Sequence, residues 1–247
     1  MSIDACAALL QRGDPDRFAA VMAAPLPDRA RLLPLYAFNL EVARAPWVTR
    51  EPLIAEMRLQ WWRDVITEDR PRAHEVAGPL HALIREAALP VQVLDALIAA
   101  RRWDVHSDPF ADAAVFDAYL QATAGGLMWL AARALGAEAE GEAAARDLGW
   151  AAGLAAFLRA VPELTARGRR PLIDGRDPAL VDLARRGLAR LDRARGVPRG
   201  AALAAWQTRR LLRQVVADPA AVAEGRIGLS EFDRRRLLVW QALTGRF

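Results

Sequence analysis

The stretch Leu148 to Ile173 constrains the fold more than any other. It reads Leu-Gly-Trp-Ala-Ala-Gly-Leu-Ala-Ala-Phe-Leu-Arg-Ala-Val-Pro-Glu-Leu-Thr-Ala-Arg-Gly-Arg-Arg-Pro-Leu-Ile. The pattern predicts one helix over about 142–164 and an exit loop. Gly149 and Gly153 are four apart and share a helix face, and Ala152, Ala156 and Ala160 make a second small-residue row. Glycine inside a helix is about 1 kcal/mol less favourable than alanine. Two of them here point either to close packing of another backbone or to a ligand.

The rest of the chain agrees with a helical fold. Ala and Leu dominate, and no run of alternating β-branched residues occurs. Helices are predicted at 2–11, 15–23, 29–45, 52–67, 73–88 and 90–106, with Asp28 as the cap of the third. The helix at 52–67 places Ile54, Met57, Trp61 and Val65 on one face. A long helix follows over 112–135. Its seam of Phe116, Leu120, Thr123, Leu127, Leu130 and Ala134 faces a core, and Gly125-Gly126 predicts a bend. Beyond the glycine-rich helix, helices are predicted at 178–195, 199–217 and 231–244, the last opened by Ser230-x-x-Asp233. Connections are short and no repeat appears. The expectation is an all-α, single-domain helical bundle over 1–247.

Charge is distributed unevenly. All 34 basic residues are Arg, and Arg159 to Arg213 holds 14 of them against 5 acidic residues. Such a stretch suits an anionic membrane surface or a diphosphate, or forms a solvated face. The eight Trp do not interleave with it, so no nucleic-acid partner is expected. A single cysteine, Cys6, excludes an internal disulfide and a thiolate zinc site and fits a reducing cytosol. The N-terminus shows no secretory signal pattern. The longest uncharged run, Ala118 to Ala132, is shorter than the ~20 residues a spanning helix needs. A cytoplasmic protein, peripheral on the inner membrane at most, is therefore expected.

Other candidate chemistry is weak. Asp64 and Glu68 share a helix face but lie beside Arg63 and Arg70, so a solvated face is favoured over a metal site. His74, His81 and His106 lack metal-ligand spacing. Ser107 and Ser230 have no Gly-x-Ser-x-Gly context.

Phe157-Leu158-Arg159-Ala160-Val161-Pro162-Glu163-Leu164, followed by Arg167-Gly168-Arg169 and Leu172, resembles the second signature of the squalene/phytoene synthase family. That signature carries an Arg, then Asp-Val-x-Glu-Asp, then a Gly-Arg-x-x-Leu-Pro loop. Tyr36-Ala37-Phe38 resembles the start of the first signature, Tyr-x-Phe-x-Arg-x-x-Asp-x-x-x-Asp. Arg58 to Arg63, His74 to Ala77, Ala122 to Gly136 and Leu229 to Trp240 resemble further parts of the family. The resemblance implies an isoprenoid-synthase fold and a cleft in which aspartates hold magnesium against a prenyl diphosphate. The aspartate positions here are Ala43, Trp47, Ala160 and Leu164. Tyr36, Phe38, Gly126, Arg159, Glu163, Arg167 and Arg169 are the implied pocket or anion-binding residues. Arg159 is expected to be partly buried and paired with Glu163. No catalytic residue and no metal are expected.

Phe38-Asn39-x-Glu41-x-Ala43 and Met57-Arg58-x-Gln60-x-Trp62 are most similar to a divergent branch that also lacks the aspartates. Its eukaryotic member assists assembly of mitochondrial respiratory complex I. The resemblance implies a non-catalytic accessory factor whose partner is a respiratory complex subunit or an anionic membrane surface. The alternatives are an active farnesyl or geranylgeranyl diphosphate transferase with atypical magnesium ligands, or a binder of a prenyl lipid.

Overall fold

The computed structural model describes residues 3–49, 51–106 and 108–245. Ser2, where the first helix is expected to begin, and Ser107 lie outside the described residues. Fourteen α-helices follow one another among the described residues, and no strand occurs there. They are α1 Ile3–Gly13, α2 Pro15–Ala23, α3 Leu26–Arg44, α4 Pro52–Thr67, α5 Ala77–Glu86, α6 Val91–Ala100 and α7 Arg102–Val105. Then come α8 Ala113–Leu120, α9 Gly126–Ala134, α10 Glu142–Ala166, α11 Asp177–Arg193, α12 Arg199–Ala202, α13 Thr208–Ala217 and α14 Glu231–Thr244.

Local signals explain most boundaries. The Asp14 side chain accepts from the Arg17 N–H at 3.0 Å and opens α2. Asp112 accepts from the Val115 N–H at 2.9 Å and opens α8. The Ser230 hydroxyl accepts from the Asp233 N–H at 3.1 Å and opens α14. Each satisfies a donor that a helix start leaves free. Helix α3 starts earlier than expected, at Leu26 after Pro25, so Asp28 sits in its first turn and is not its cap. There it faces the exposed end of the helix dipole. The region predicted as one helix at 73–88 forms only over Ala77–Glu86.

The long helix at 112–135 is broken as Gly125-Gly126 predicts, and the break has a defined form. Gln121–Gly125 is a turn of π-helix between α8 and α9. A π-turn leaves carbonyls short of their usual donors. The Thr123 hydroxyl donates back to the Tyr119 carbonyl at 2.6 Å, and Arg146 of α10 donates to the Gln121 carbonyl at 3.3 Å. Every member of the expected seam, Phe116, Leu120, Thr123, Leu127, Leu130 and Ala134, is buried.

Helix α10 packs directly on this turn, and its glycines are the reason it can. A methyl group on Gly149 would stand 2.3 Å from the Ala124 carbonyl oxygen and 2.8 Å from the Gly125 Cα. One on Gly153 would stand 2.4 Å from the Ala124 Cβ. Pro162 does not end α10, which continues to Ala166.

Helix α4 differs from its predicted orientation. It buries Ala55, Leu59, Trp62, Val65 and Ile66, while Ile54 and Met57 are exposed. Two apolar stripes run along this helix. The stripe containing Trp62 is the one that meets Phe38 of α3, edge to face at 5.4 Å.

Gly149→Ala tests the packing of α10. Helix propensity alone predicts about 1 kcal/mol of stabilisation. Overpacking against a backbone oxygen predicts roughly 1–3 kcal/mol of destabilisation. Chemical denaturation of the variant should show the loss, and a gain would refute the packing described here.

Candidate functional site

A cavity of about 370 Å³ opens between α3 and α10, with α2, α7, α8, the π-turn, α9 and the start of α13 contributing to its wall. Its two long sides are residues at helical spacing, mostly small on the α10 side. Helix α3 contributes Tyr36, Asn39 and Ala43, and the 3-10 turn after it contributes Trp47. Helix α10 contributes Gly149, Gly153, Ala156, Ala160 and Leu164. Ala43, Trp47, Ala160 and Leu164 thus line one cavity. Tyr36 and Arg159 line it too, whereas Phe38, Gly126, Glu163, Arg167 and Arg169 do not.

Each of the five has a physical reason to be elsewhere. Phe38 is wholly buried in the core against Trp62. Gly126 faces Val93 of α6, 3.2 Å from where its Cβ would lie. Glu163 is exposed and accepts from Arg167 at 2.7 Å. The Arg167 guanidinium lies 4.7 Å from the centre of the Trp47 ring, and the Arg169 guanidinium lies 4.7 Å from it as well. Arg169 is buried and donates to the backbone carbonyls of Trp103 and His106 at 3.3 and 2.8 Å, and to that of Asp104. The indole at an expected aspartate position is therefore flanked by two guanidinium groups in cation–π contact.

Arg159 also departs from expectation. Its side chain is 44% exposed, and its partner is Asp16 of α2 at 3.3 Å, not Glu163. Asp16 is a hub at the cavity mouth that sequence reasoning missed. Arg234 of α14 pairs with it, and the Gln207 side chain bonds to it. Burial alone would raise the Asp16 pKa. The Gln207 bond and the two arginines outweigh that and hold it below the usual aspartate value.

A second polar group also lines the cavity. Arg101 donates to Asp104 at 3.1 Å and to the Tyr119 hydroxyl at 2.9 Å. Tyr119 in turn donates to Asp104 at 3.1 Å. Burial pushes the Tyr119 phenol well above its usual pKa, so it stays neutral. Burial also disfavours the Arg101 charge, but Tyr119 and Asp104 more than offset it, and its pKa lies above the usual value. Trp103, Phe110, Phe116 and Phe157 wrap this group, with Trp103 stacked on Phe110 at 3.9 Å.

The magnesium that the resemblance implies for the enzymes finds no fitting donor set here. The carboxylates lining the cavity are Asp14, Asp16 and Asp104. All three are engaged, Asp14 by Arg17, Asp16 by Arg159 and Arg234, and Asp104 by Arg101. Among the described residues no group of three or more His, Cys, Asp or Glu side chains stands close enough to hold a metal ion. Asp64 and Glu68 lie away from the cavity, and Arg72 holds both, at 3.2 and 2.5 Å. His81 is buried with Nε2 3.1 Å from the Glu68 carbonyl, and His74 packs on Trp61 and Trp62.

The basic stretch does not form one free face. Eight of the arginines between 159 and 213 are ion-paired. Arg186 and Arg190 reach Asp117, and Arg190 and Arg193 reach Asp147, so with Asp16 three acids earlier in the chain offset part of the local excess.

An all-helical bundle around a cleft between α3 and the small-residue face of α10 defines a class, the isoprenoid-synthase fold. A dehydrosqualene synthase crystallised with a ligand shares it, with a TM-score of 0.82 at 15% identity over 99% of this chain and 97% of that one. The squalene synthase HpnC from Alicyclobacillus acidocaldarius aligns with a TM-score of 0.72 at 17% identity over 92% of this chain and 95% of that one. The squalene/phytoene synthase family model matches residues 10–172. The chain belongs to the squalene/phytoene synthase family. It is also similar to NADH dehydrogenase (ubiquinone) complex I, assembly factor 6. The Bos taurus protein is 28% identical over 66% of this chain and 50% of its own length. The Homo sapiens protein is 26% identical over 64% of this chain and 48% of its own length. The chain thus spans about half the length of these relatives.

Asp16→Ala leaves Arg159 and Arg234 without their shared partner. Stability should fall by roughly 1–3 kcal/mol at neutral pH. Because the folded pKa of Asp16 is depressed, its contribution is fully present above the unfolded value of about 4. It is lost as pH falls through the lower folded value. Parent and variant should therefore converge in stability at acid pH. A gap that persists unchanged to the acid limit would contradict this role.

Proposed function

We propose that this chain is a non-catalytic member of its family and acts as an accessory or assembly factor for a respiratory membrane complex of the NADH:ubiquinone oxidoreductase type. The observation that carries the reading is the lining of the cavity. Where the resemblance puts magnesium-binding aspartates, the wall has Ala43, Trp47, Ala160 and Leu164. Ionisation of a diphosphate builds large negative charge, which needs metal ions or unengaged cations to stabilise it. Arg167 and Arg169 instead flank Trp47, and Arg159 is held by Asp16. The similarity to proteins named as complex I assembly factor 6 supplies the partner class.

The proposed work is done by a surface. Phe232, Val239, Trp240 and Leu243 of α14 are exposed, as are Leu53 and Met57 of α4. Exposed apolar side chains grouped on one element mark surface that a partner would cover. Among the described residues no helix is long and apolar enough to cross a membrane. The proposed place of action is the cytoplasmic face of the inner membrane, reached by protein contact. Prosthetic groups and metals play no part in this reading.

Deletion of the gene in its host is the test. Native gels should show incomplete NADH:ubiquinone oxidoreductase, with loss of NADH-dependent quinone reduction, and the chain supplied in trans should restore both. Normal assembly of the complex in the deletion strain would overturn the proposal.

A further inference from the structure

A second groove, of about 560 Å³, lies between α13 and α14, away from the cavity described above. Each helix gives it one face. Arg210, Arg213, Gln214 and Ala217 come from α13, and Asp233, Arg236, Leu237 and Trp240 come from α14. Both sets are spaced i, i+3, i+4 and i+7, the stripe that a helix presents to a neighbouring helix. Two such stripes on one open space form two walls of a three-helix contact. The described residues supply no third helix there. The groove continues onto the outer side of α14, where Phe232, Val239, Trp240 and Leu243 are each between 57% and 75% exposed.

The charge balance says what kind of helix fits. The lining holds three guanidinium groups, Arg210, Arg213 and Arg236, against one carboxylate, Asp233. Arg236 holds that carboxylate at 3.0 Å. Among the described residues no carboxylate comes within ion-pair reach of Arg210 or Arg213, and Asp233 acts on Arg210 only through its longer-range field. By contrast, Arg17, Arg101 and Arg159, which line the cavity between α3 and α10, are all paired. Gln214 is already engaged, since its side chain bonds to both the N–H and the carbonyl of Gly228. The groove therefore offers two uncommitted cations beside the apolar surface of Leu229, Leu237 and Trp240. A flat bilayer does not fill a trough between two helices, whereas an amphipathic helix lays its apolar stripe into one.

We infer that the groove between α13 and α14 docks an acidic amphipathic helix of a partner protein, its apolar stripe on Leu229, Leu237 and Trp240 and its carboxylates paired with Arg210 and Arg213. The inference rests on the reading of this chain as a factor that works by protein contact. It names the surface and the chemistry of the segment that meets it.

The probe is a dye-labelled, end-blocked helical peptide of about four turns, with Leu at i, i+3, i+4 and i+7 and Glu elsewhere, followed by fluorescence anisotropy. A second peptide carries Lys at every Glu position. The Glu peptide should bind saturably, one per chain, and the Lys peptide about tenfold more weakly. Trp240→Ala should weaken the Glu peptide about tenfold, as loss of an aromatic anchor does. Arg210→Glu combined with Arg213→Glu should reverse the preference, so that the Lys peptide binds better. All three positions are exposed, so these variants should melt as the parent does. A reversed preference also cannot come from unfolding. Equal binding of the two peptides, no saturable binding, or a charge-reversed chain that keeps the parent's preference would each overturn the inference. So would a chain that binds neither peptide but sediments with phosphatidylglycerol vesicles in a Trp240-dependent way, which would make this face a lipid contact. Gene complementation keeps the two proposals apart. A charge-reversed chain that fully restores the respiratory complex defeats the groove and leaves the assembly role standing. Peptide binding by a chain whose deletion leaves the complex intact defeats only the assembly role.

Discussion

Helix α10 lies on the π-turn because positions 149 and 153 carry no side chain. The approach brings the Ala124 carbonyl to 2.3 Å from where a Gly149 Cβ would stand, a distance no real side chain tolerates. Once α10 is seated there, its next turns, with Ala156, Ala160 and Leu164, line the same cavity as Ala43 and Trp47. The cavity is a consequence of that contact. So is the position of Arg146, which supplies a donor to the carbonyl of Gln121 in the π-turn. Fold and site depend on the same two glycines.

The architecture and the seam of α8 and α9 were readable because periodicity reports burial directly. Phe116 to Ala134 alternates spacings of three and four, and one face results even across the π-turn. Helix α4 shows where that logic stops. Its sequence carries two apolar stripes, and only the tertiary contact of Trp62 with Phe38 selects between them. Polar partners were less legible still. Glu163 is one helical turn from Arg159, yet Arg159 pairs with Asp16, 143 residues away. Asp104 and Tyr119 are 15 residues apart and meet through the fold. No spacing rule joins such pairs. The unsatisfied atoms of Tyr36, Asn39 and Gln207 leave no trace in the sequence, because satisfaction is a property of the packed surroundings.

Electrostatics changes most between chain and fold. The excess of arginine over acid from 159 to 213 suggests a basic face. In the fold, Asp16, Asp117 and Asp147 meet that stretch and engage it. At the cavity the same compensation leaves an overall neutral wall. Arginines that the resemblance would assign to a diphosphate stack on an indole and cap backbone carbonyls. The helical frame of the family is thus retained, while arginines at the implied anion-binding positions are committed to contacts within the protein.

The proposed non-catalytic role stands or falls on whether the cavity handles a prenyl diphosphate. Purified protein incubated with farnesyl diphosphate, with and without magnesium, and followed by release of inorganic diphosphate gives the answer. The relined cavity predicts release no faster than in protein-free controls under either condition. Sustained, magnesium-dependent release that scales with protein concentration would contradict it.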